Sequence, residues 1–142
     1  MTTTWNMSNL SIEDVAHLKV ALTYADLSKA KRAKVGCIIV KDSRIISIGY
    51  NGTPSGWNND CEDSNDETKP EVLHAETNAI AKLARCTESG DGATLYCTHS
   101  ACLNCAKLIY QSGIRRVVYA TDYSGTDGIE FLKAAGVKVD KL

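Results

Sequence analysis

The sequence predicts an α/β fold of three layers, α/β/α, built on a five-stranded mixed sheet with helices on both faces. Three observations predict it. Val15, Leu18, Leu22 and Ala25 recur at the spacing of one helix face. Residues 35–40 form a continuous apolar run of the kind a strand buried on both faces needs. The element order α-β-β-α-β-α-β-α-β alternates strand with helix after an initial strand pair, which makes the second half of the sheet parallel. A chain of 142 residues is expected to form one domain with a proper core.

Each element has its own signals. Ser11 with Asp14 three residues on is a capping-type pair, so the first helix starts at Ser11 and runs to about Ser28. The basic residues Lys29, Lys31, Arg32 and Lys34 follow it. Asp42-Ser43 is a short turn between the run at 35–40 and a second strand carrying Ile45, Ile46 and Ile48. Residues 49–56, GYNGTPSG, are rich in types that tolerate unusual backbone angles and read as a loop. Residues 57–70 carry Asp60, Glu62, Asp63, Asp66 and Glu67 and read as an acidic excursion from the domain. A helix is expected over 72–85 with Ala79, Ile80, Leu83 and Ala84 turned inward, broken by Gly90-Asp91-Gly92. A strand at 93–98, a helix at 102–111 stopped by Gly113, and a strand at 116–120 come next. A short helix opening at Asp127 or Gly128 and ending at Gly136, then a strand at 137–140, complete the series.

Composition narrows the class. A formal net charge of −1 argues against a chain built to coat nucleic acid. No apolar run approaches the ~20 residues needed to cross a bilayer, and the first residues lack the basic and apolar regions of a signal peptide. Six cysteines in a chain of this kind suit a reducing compartment better than a disulfide framework. The expectation is therefore a cytoplasmic protein (host cytoplasm if the source is viral) with no membrane and no nucleic-acid partner. Cys37 and Cys97 fall in strands and read as core, Cys86 ends a helix, and Trp5 and Trp57 are assigned to subunit contacts.

Two short words carry the chemistry: His74-Ala75-Glu76 and Cys102-Leu103-Asn104-Cys105. One His and two Cys make three ligands for zinc, and three protein ligands leave a fourth position open for water, whose pKa falls to roughly 7 in favourable catalytic sites. The i, i+3 spacing puts both thiols on one helix face, and the helix N-termini are expected to favour thiolate. Glu76 is the proton shuttle that such a water needs, with a raised or near-neutral pKa suited to it. H-x-E followed downstream by C-x-x-C is the signature of zinc nucleobase deaminases. A lone C-x-x-C also suits structural zinc or a redox pair, and Cys97 and His99 lie close enough in sequence to supply a fourth ligand. Cys61 leaves room for a second zinc in the acidic segment.

These residues resemble the deoxycytidylate (dCMP) deaminases of the zinc-dependent cytidine deaminase superfamily. The resemblance runs from about Leu10 to the C-terminus, on residues 32–36, 45–56, 74–80 and 102–113. The zinc words belong to the whole superfamily, and the GYNGTPSG loop to this family. One departure stands out: Ala101 occupies the position before the first Cys where the family usually has Pro.

The resemblance implies a cytidine deaminase-like fold and hydrolysis of dCMP to dUMP and ammonia, feeding thymidylate synthesis. It places Arg32 and Tyr123 near the 5′-phosphate, Asn51 on the sugar and base side, and the Ala75 backbone at the pyrimidine edge. It also implies a homo-oligomer, a hexamer in many members, activated by dCTP and inhibited by dTTP with Mg²⁺ on the triphosphate. The loop residues Gly49, Tyr50 and Gly52 would then cradle phosphates, and Asp60 and Glu62 would hold Mg²⁺ or read the nucleotide. Two other readings compete: a zinc deaminase for free cytidine, deoxycytidine or tRNA adenosine, and a non-catalytic structural-zinc interaction module. The basic residues at 29–34 favour a phosphorylated substrate over a free nucleoside, and the near-neutral charge and the GYNGTPSG loop disfavour tRNA.

Overall fold

A computed structural model describes residues 10–123 and 125–142. Its elements are α1 (Ile12–Ala25), β1 (Gly36–Lys41), β2 (Arg44–Tyr50), α2 (Ala75–Leu83), β3 (Thr94–His99), α3 (Leu103–Gln111), β4 (Arg116–Thr121), α4 (Asp127–Ala134) and β5 (Lys138–Lys141). The expected number and order of helices and strands are those observed. The sheet order is β2-β1-β3-β4-β5. β1 pairs antiparallel with both β2 and β3, while β3-β4 and β4-β5 are parallel.

Strand periodicity explains why the central strands are apolar throughout. In β1, Cys37 and Ile39 face a core shared with α2, α3 and α4, which includes Ala79, Ala106, Ile109 and Leu132. Ile38 and Val40 face the opposite side, where Val15, Leu18 and Ala21 of α1 cover the sheet. One helix on one face and three on the other give the three layers. Asp42 and Ser43 both take positive φ (51° and 63°), the backbone of a tight hairpin whose twist matches the strands it joins.

Several boundaries differ from the sequence expectation. α1 ends at Ala25, and Leu22, expected inward, is 38% exposed. α2 begins at Ala75 because Leu73 is held in an extended bridge with Gly52, exchanging N–H···O bonds of 2.7 and 3.1 Å. At its other end Ala84 caps the helix and is exposed, and the N–H of Arg85 reaches the Lys82 carbonyl in a tightened last turn. Gly113 ends α3 as expected, with φ of 88° after the cap residue Ser112. Trp57 is exposed, and Trp5 lies outside the described residues. No helix among the described residues is long and apolar enough to cross a membrane.

Two close approaches fix the helices on the sheet. A Cβ at Gly49 would overlap the Ala75 carbonyl and stand 2.6 Å from the Ala79 nitrogen, so glycine lets β2 press against the start of α2. A Cβ at Gly128 would overlap the Ala101 carbonyl, so α4 packs directly on the backbone that leads into Cys102. Ala101, the departure from the family pattern, is buried at this contact.

A buried polar node ties α1 to the sheet. Ser11 and Asp14 form the expected capping box, with bonds of 3.1 and 3.0 Å. The same Asp14 carboxylate accepts two hydrogen bonds from the Arg116 guanidinium (2.8 and 2.9 Å) and one from the Tyr96 hydroxyl (2.7 Å). Arg116 also donates to Asp140 at 3.0 Å. Burial would raise the Asp14 pKa, but the bonds from Arg116, Tyr96 and the Ser11 N–H outweigh it and hold the carboxyl well below the usual range. A depressed carboxylate stabilises the fold above its unfolded pKa, near 3.9, and loses that contribution as pH falls. Asp14→Asn is therefore expected to cost about 3 kcal/mol at pH 7, the scale of a broken buried pair. The cost should shrink progressively as pH falls below about 4 and vanish only once the folded carboxyl is itself protonated, so the low-pH measurement is made as far down as the protein stays folded. Urea unfolding at the two pH values measures it, and equal losses at both would refute the assignment.

Candidate active site

The site lies where the chain topology gathers strand ends. β2 runs parallel to β3 because both are antiparallel to β1. The carboxyl ends of β2, β3 and β4 therefore share one edge with the start of β1, the crevice where open α/β sheets bind ligands. Asn51 follows β2, His99 ends β3 and Ser100 follows it, Tyr123 follows β4, and Val35 precedes β1. All of them line one cavity of about 290 Å³.

His74 and Cys102 are the N-cap residues of α2 and α3, and neither side chain makes the capping hydrogen bond usual at such positions. They turn toward each other instead. His74 Nδ1 lies 3.6 Å from Cys102 Sγ and 3.3 Å from Cys105 Sγ, and the three donor atoms are all within 4.8 Å of one another. Ligands about 2.0–2.3 Å from a tetrahedral zinc stand roughly 3.5–3.8 Å apart, so this donor set fits the ion. Two thiols and one imidazole are also the ligand chemistry zinc selects.

Cys97 and His99 do not join the cluster. Cys97 is buried in the core, at the strand position paired with Cys37 of β1. His99 Nδ1 stands 2.8 Å from the Thr98 hydroxyl, and its ring makes an edge contact with Tyr123 at 5.5 Å. Among the described residues, three protein ligands are thus available and the fourth position is open. Cys61 is buried and belongs to no such cluster among them.

Glu76 sits in the first turn of α2, 4% exposed, on the cavity wall beside the donor set. Burial pushes its carboxyl up to about 7, with its own backbone N–H and Cys97 pulling the other way. That matches the near-neutral value expected from the sequence.

The expectation for the Cys105 thiol needs correction. Cys105 is raised, first by burial and then by the Glu76 charge, with Thr77 at 3.5 Å opposing. Near a buried carboxylate the helix N-terminus does not by itself make the thiolate. A bound cation must displace the proton, and its binding is coupled to pH.

The other expected site residues divide between two places. Arg32, Asn51, Ala75 and Tyr123 line the catalytic cavity. Both ends of the Asn51 amide are engaged: Oδ1 accepts the Val35 N–H at 2.9 Å, and Nδ2 donates to the Ala33 carbonyl at 2.8 Å. Asn51 thus braces the wall at 33–35 as well as facing the cavity. Arg32 is at the rim, its exposed guanidinium 3.5 Å from Glu67.

A second cavity, about 260 Å³, is lined by Tyr50, Gly52 and residues 53–56 together with Lys29, Asn78 and Lys82. Gly49 lines neither cavity, since it is spent on the α2 contact, and Asp60 also lines neither. Glu62 lies in the wall of the catalytic cavity rather than the second one. His99, Ser100 and Thr68 are lining residues that the sequence did not single out for the pocket; only proximity to Cys102 pointed to the first two.

An open three-donor zinc site beside a buried carboxylate of near-neutral pKa defines a metal-dependent hydrolytic centre. The chain belongs to the cytidine and deoxycytidylate deaminase family, whose zinc-binding region matches residues 11–121. It is similar to the dCMP deaminase of the cyanophage S-TIM5, solved in complex with dCMP and dUMP: TM-score 0.91 and 46% identity, covering 94% of this chain and 100% of that one. It is 38% identical over 136 residues to the deoxycytidylate deaminase of Saccharomyces cerevisiae, across 89% of this chain but only 43% of the yeast protein. It is 35% identical over 167 residues to that of Enterobacteria phage T4, across 86% of each chain.

The purified protein is expected to carry one zinc per chain by elemental analysis. Cys105→Ser and His74→Ala should lose it, and zinc uptake should release protons and weaken as pH falls. Undiminished zinc in Cys105→Ser would overturn the ligand assignment.

Proposed function

We propose that the protein is a deoxycytidylate deaminase that hydrolyses dCMP to dUMP and ammonia. The observation that carries the reading is the buried Glu76 carboxyl beside the His74, Cys102 and Cys105 donor atoms, in a cavity with Arg32 at its rim. When bound, zinc supplies a water activated at the ligand position the protein leaves open.

The chain's own residues do the rest. Glu76, with a pKa near neutrality, can both take and give a proton in one cycle. It removes a proton from the attacking water and delivers it to N3 of the ring. The second proton of that water goes by the same carboxylate to the amine as the C4–N4 bond breaks. One C–O bond forms, one C–N bond breaks, and no net proton is left over. Ala75, fully buried at the start of α2, sets the backbone against which the pyrimidine edge lies.

Arg32 supplies the contact to the 5′-phosphate, a task its planar fork of donors suits better than a lysine ammonium. Support comes from the S-TIM5 relative, which was solved with both dCMP and dUMP and is covered along its whole length. Glu76→Gln is expected to lower turnover by roughly 10²–10⁴-fold with zinc retained, because Glu76 is no ligand. Side by side, dCMP should be deaminated far better than deoxycytidine, and Arg32→Ala should erase most of that preference. Full activity of Glu76→Gln, or equal rates on the two substrates, would sink the reading.

We infer further that dCTP and dTTP, with Mg²⁺, regulate the enzyme from the second cavity. Lys29 and Lys82 supply cationic groups there and the 50–56 loop supplies main-chain N–H groups, a combination suited to a polyphosphate. A homohexamer in the cytoplasm completes the proposal. Trp57, Leu103, Leu108 and Tyr110 are exposed apolar side chains available for contacts between copies. Saturation curves for dCMP are expected to shift left with dCTP and right with dTTP, and light scattering should give six chains. Hyperbolic curves that neither nucleotide moves, or a monomer, would refute these points.

A further inference from the structure

The acidic excursion delivers a side chain to the catalytic cavity. Residues 61–69 close on themselves: the Asp63 N–H donates to the Glu67 carbonyl and the Lys69 N–H to the Cys61 carbonyl, each at 2.8 Å. Glu62 and Thr68 pair as an antiparallel bridge. At the tip, Asp63 Oδ1 accepts the N–H groups of Asn65 and Glu67 at 2.8 and 3.1 Å. Glu62 is therefore presented by a braced loop. It is 9% exposed, and its Oε2 accepts the main-chain N–H groups of Lys31 (3.0 Å) and Arg32 (3.3 Å).

The wall these amides belong to has no helix or strand of its own between α1 and β1. Two side chains from elsewhere satisfy its main chain: Asn51 at residues 33 and 35, and Glu62 at residues 31 and 32. A carboxylate accepting two consecutive N–H groups makes charge-assisted bonds, stronger than neutral ones. The ion pair of Arg32 with Glu67 is long, and its side chains are 57% and 71% exposed. Such a pair fixes little. The place from which Arg32 reaches toward the cavity is thus set by its amide rather than by its guanidinium.

We propose that Glu62 is a positioning residue for phosphate recognition: by clamping the Lys31 and Arg32 amides it holds Arg32 at the cavity rim. This rests on the reading of Arg32 as the phosphate contact. Glu62→Ala is expected to raise KM for dCMP roughly tenfold or more, since small misplacements of a binding group cost that much. Deoxycytidine, which has no phosphate, should suffer far less. Glu62→Gln keeps an oxygen that accepts both N–H groups and should recover most of the loss. Without substrate, hydrogen exchange at the amides of Lys31 and Arg32 should accelerate in Glu62→Ala. Unchanged exchange at those two amides, or equal losses with dCMP and deoxycytidine, would overturn the proposal. If the wild-type protein proves indifferent to the phosphate, the reading of Arg32 fails, while the exchange rates still decide the clamp.

Discussion

The site depends on one constraint, the meeting of two helix starts. His74 opens α2 and Cys102 opens α3, and the useful atoms of His74, Cys102 and Cys105 come within 4.8 Å of one another. No secondary-structure bond joins these two helices. What brings them together is packing on the same face of the sheet, with Gly49 letting β2 touch α2 and Gly128 letting α4 touch the backbone before Cys102. Packing energy, which is nondirectional, is thereby converted into a metal-ligand geometry that tolerates errors of only a few tenths of an ångström.

Burial then sets the chemistry. The core that holds α2 in place also surrounds Glu76, and removal from water brings its carboxyl to about 7. The same burial raises Cys105, so the protein without its cation keeps a proton where the ion will sit. A buried carboxylate and a buried thiolate side by side would repel each other, and a dication beside them offsets that repulsion. Site and cofactor are electrostatically complementary in this sense: the groups that are costly as anions alone are the groups that a zinc ion stabilises. On the far face of the sheet, Asp14, Tyr96 and Arg116 form a node with no catalytic part, which anchors α1 and so holds the layer that covers β1 from behind.

The cavity walls come from a different source than its floor. The floor is made of helix starts and strand ends. Much of the wall is irregular chain, residues 30–35, whose backbone groups would be left unpaired without Asn51 and Glu62. Asn51 lines both cavities, and so does Cys61. These two residues thus form a wall common to both spaces.

Much of this was legible in the sequence. The number and order of elements follow from local periodicity, the Ser11–Asp14 cap and Gly113, all of which act over a few residues. The three ligands and Glu76 were legible because metal chemistry allows few residue types and spacings. Helix ends were less so: a bridge between Gly52 and Leu73, distant in sequence, held off the start of α2.

Tertiary structure alone decided the rest, because it brings together residues with no sequence relation. Glu62 read as an acid of the 57–70 excursion that would hold Mg²⁺ or read a nucleotide, and it proved to be a buried acceptor 31 residues from its partner Lys31. His99 and Cys97 stood as candidate ligands until the fold placed one beside Thr98 and Tyr123 and the other in the core beside Cys37. Sequence by itself determined the class of chemistry, since ligand identity and spacing are local properties. Which side chains face the metal, which brace the wall and which protons are displaced depended on packing, because direction, burial and dielectric belong to the folded chain.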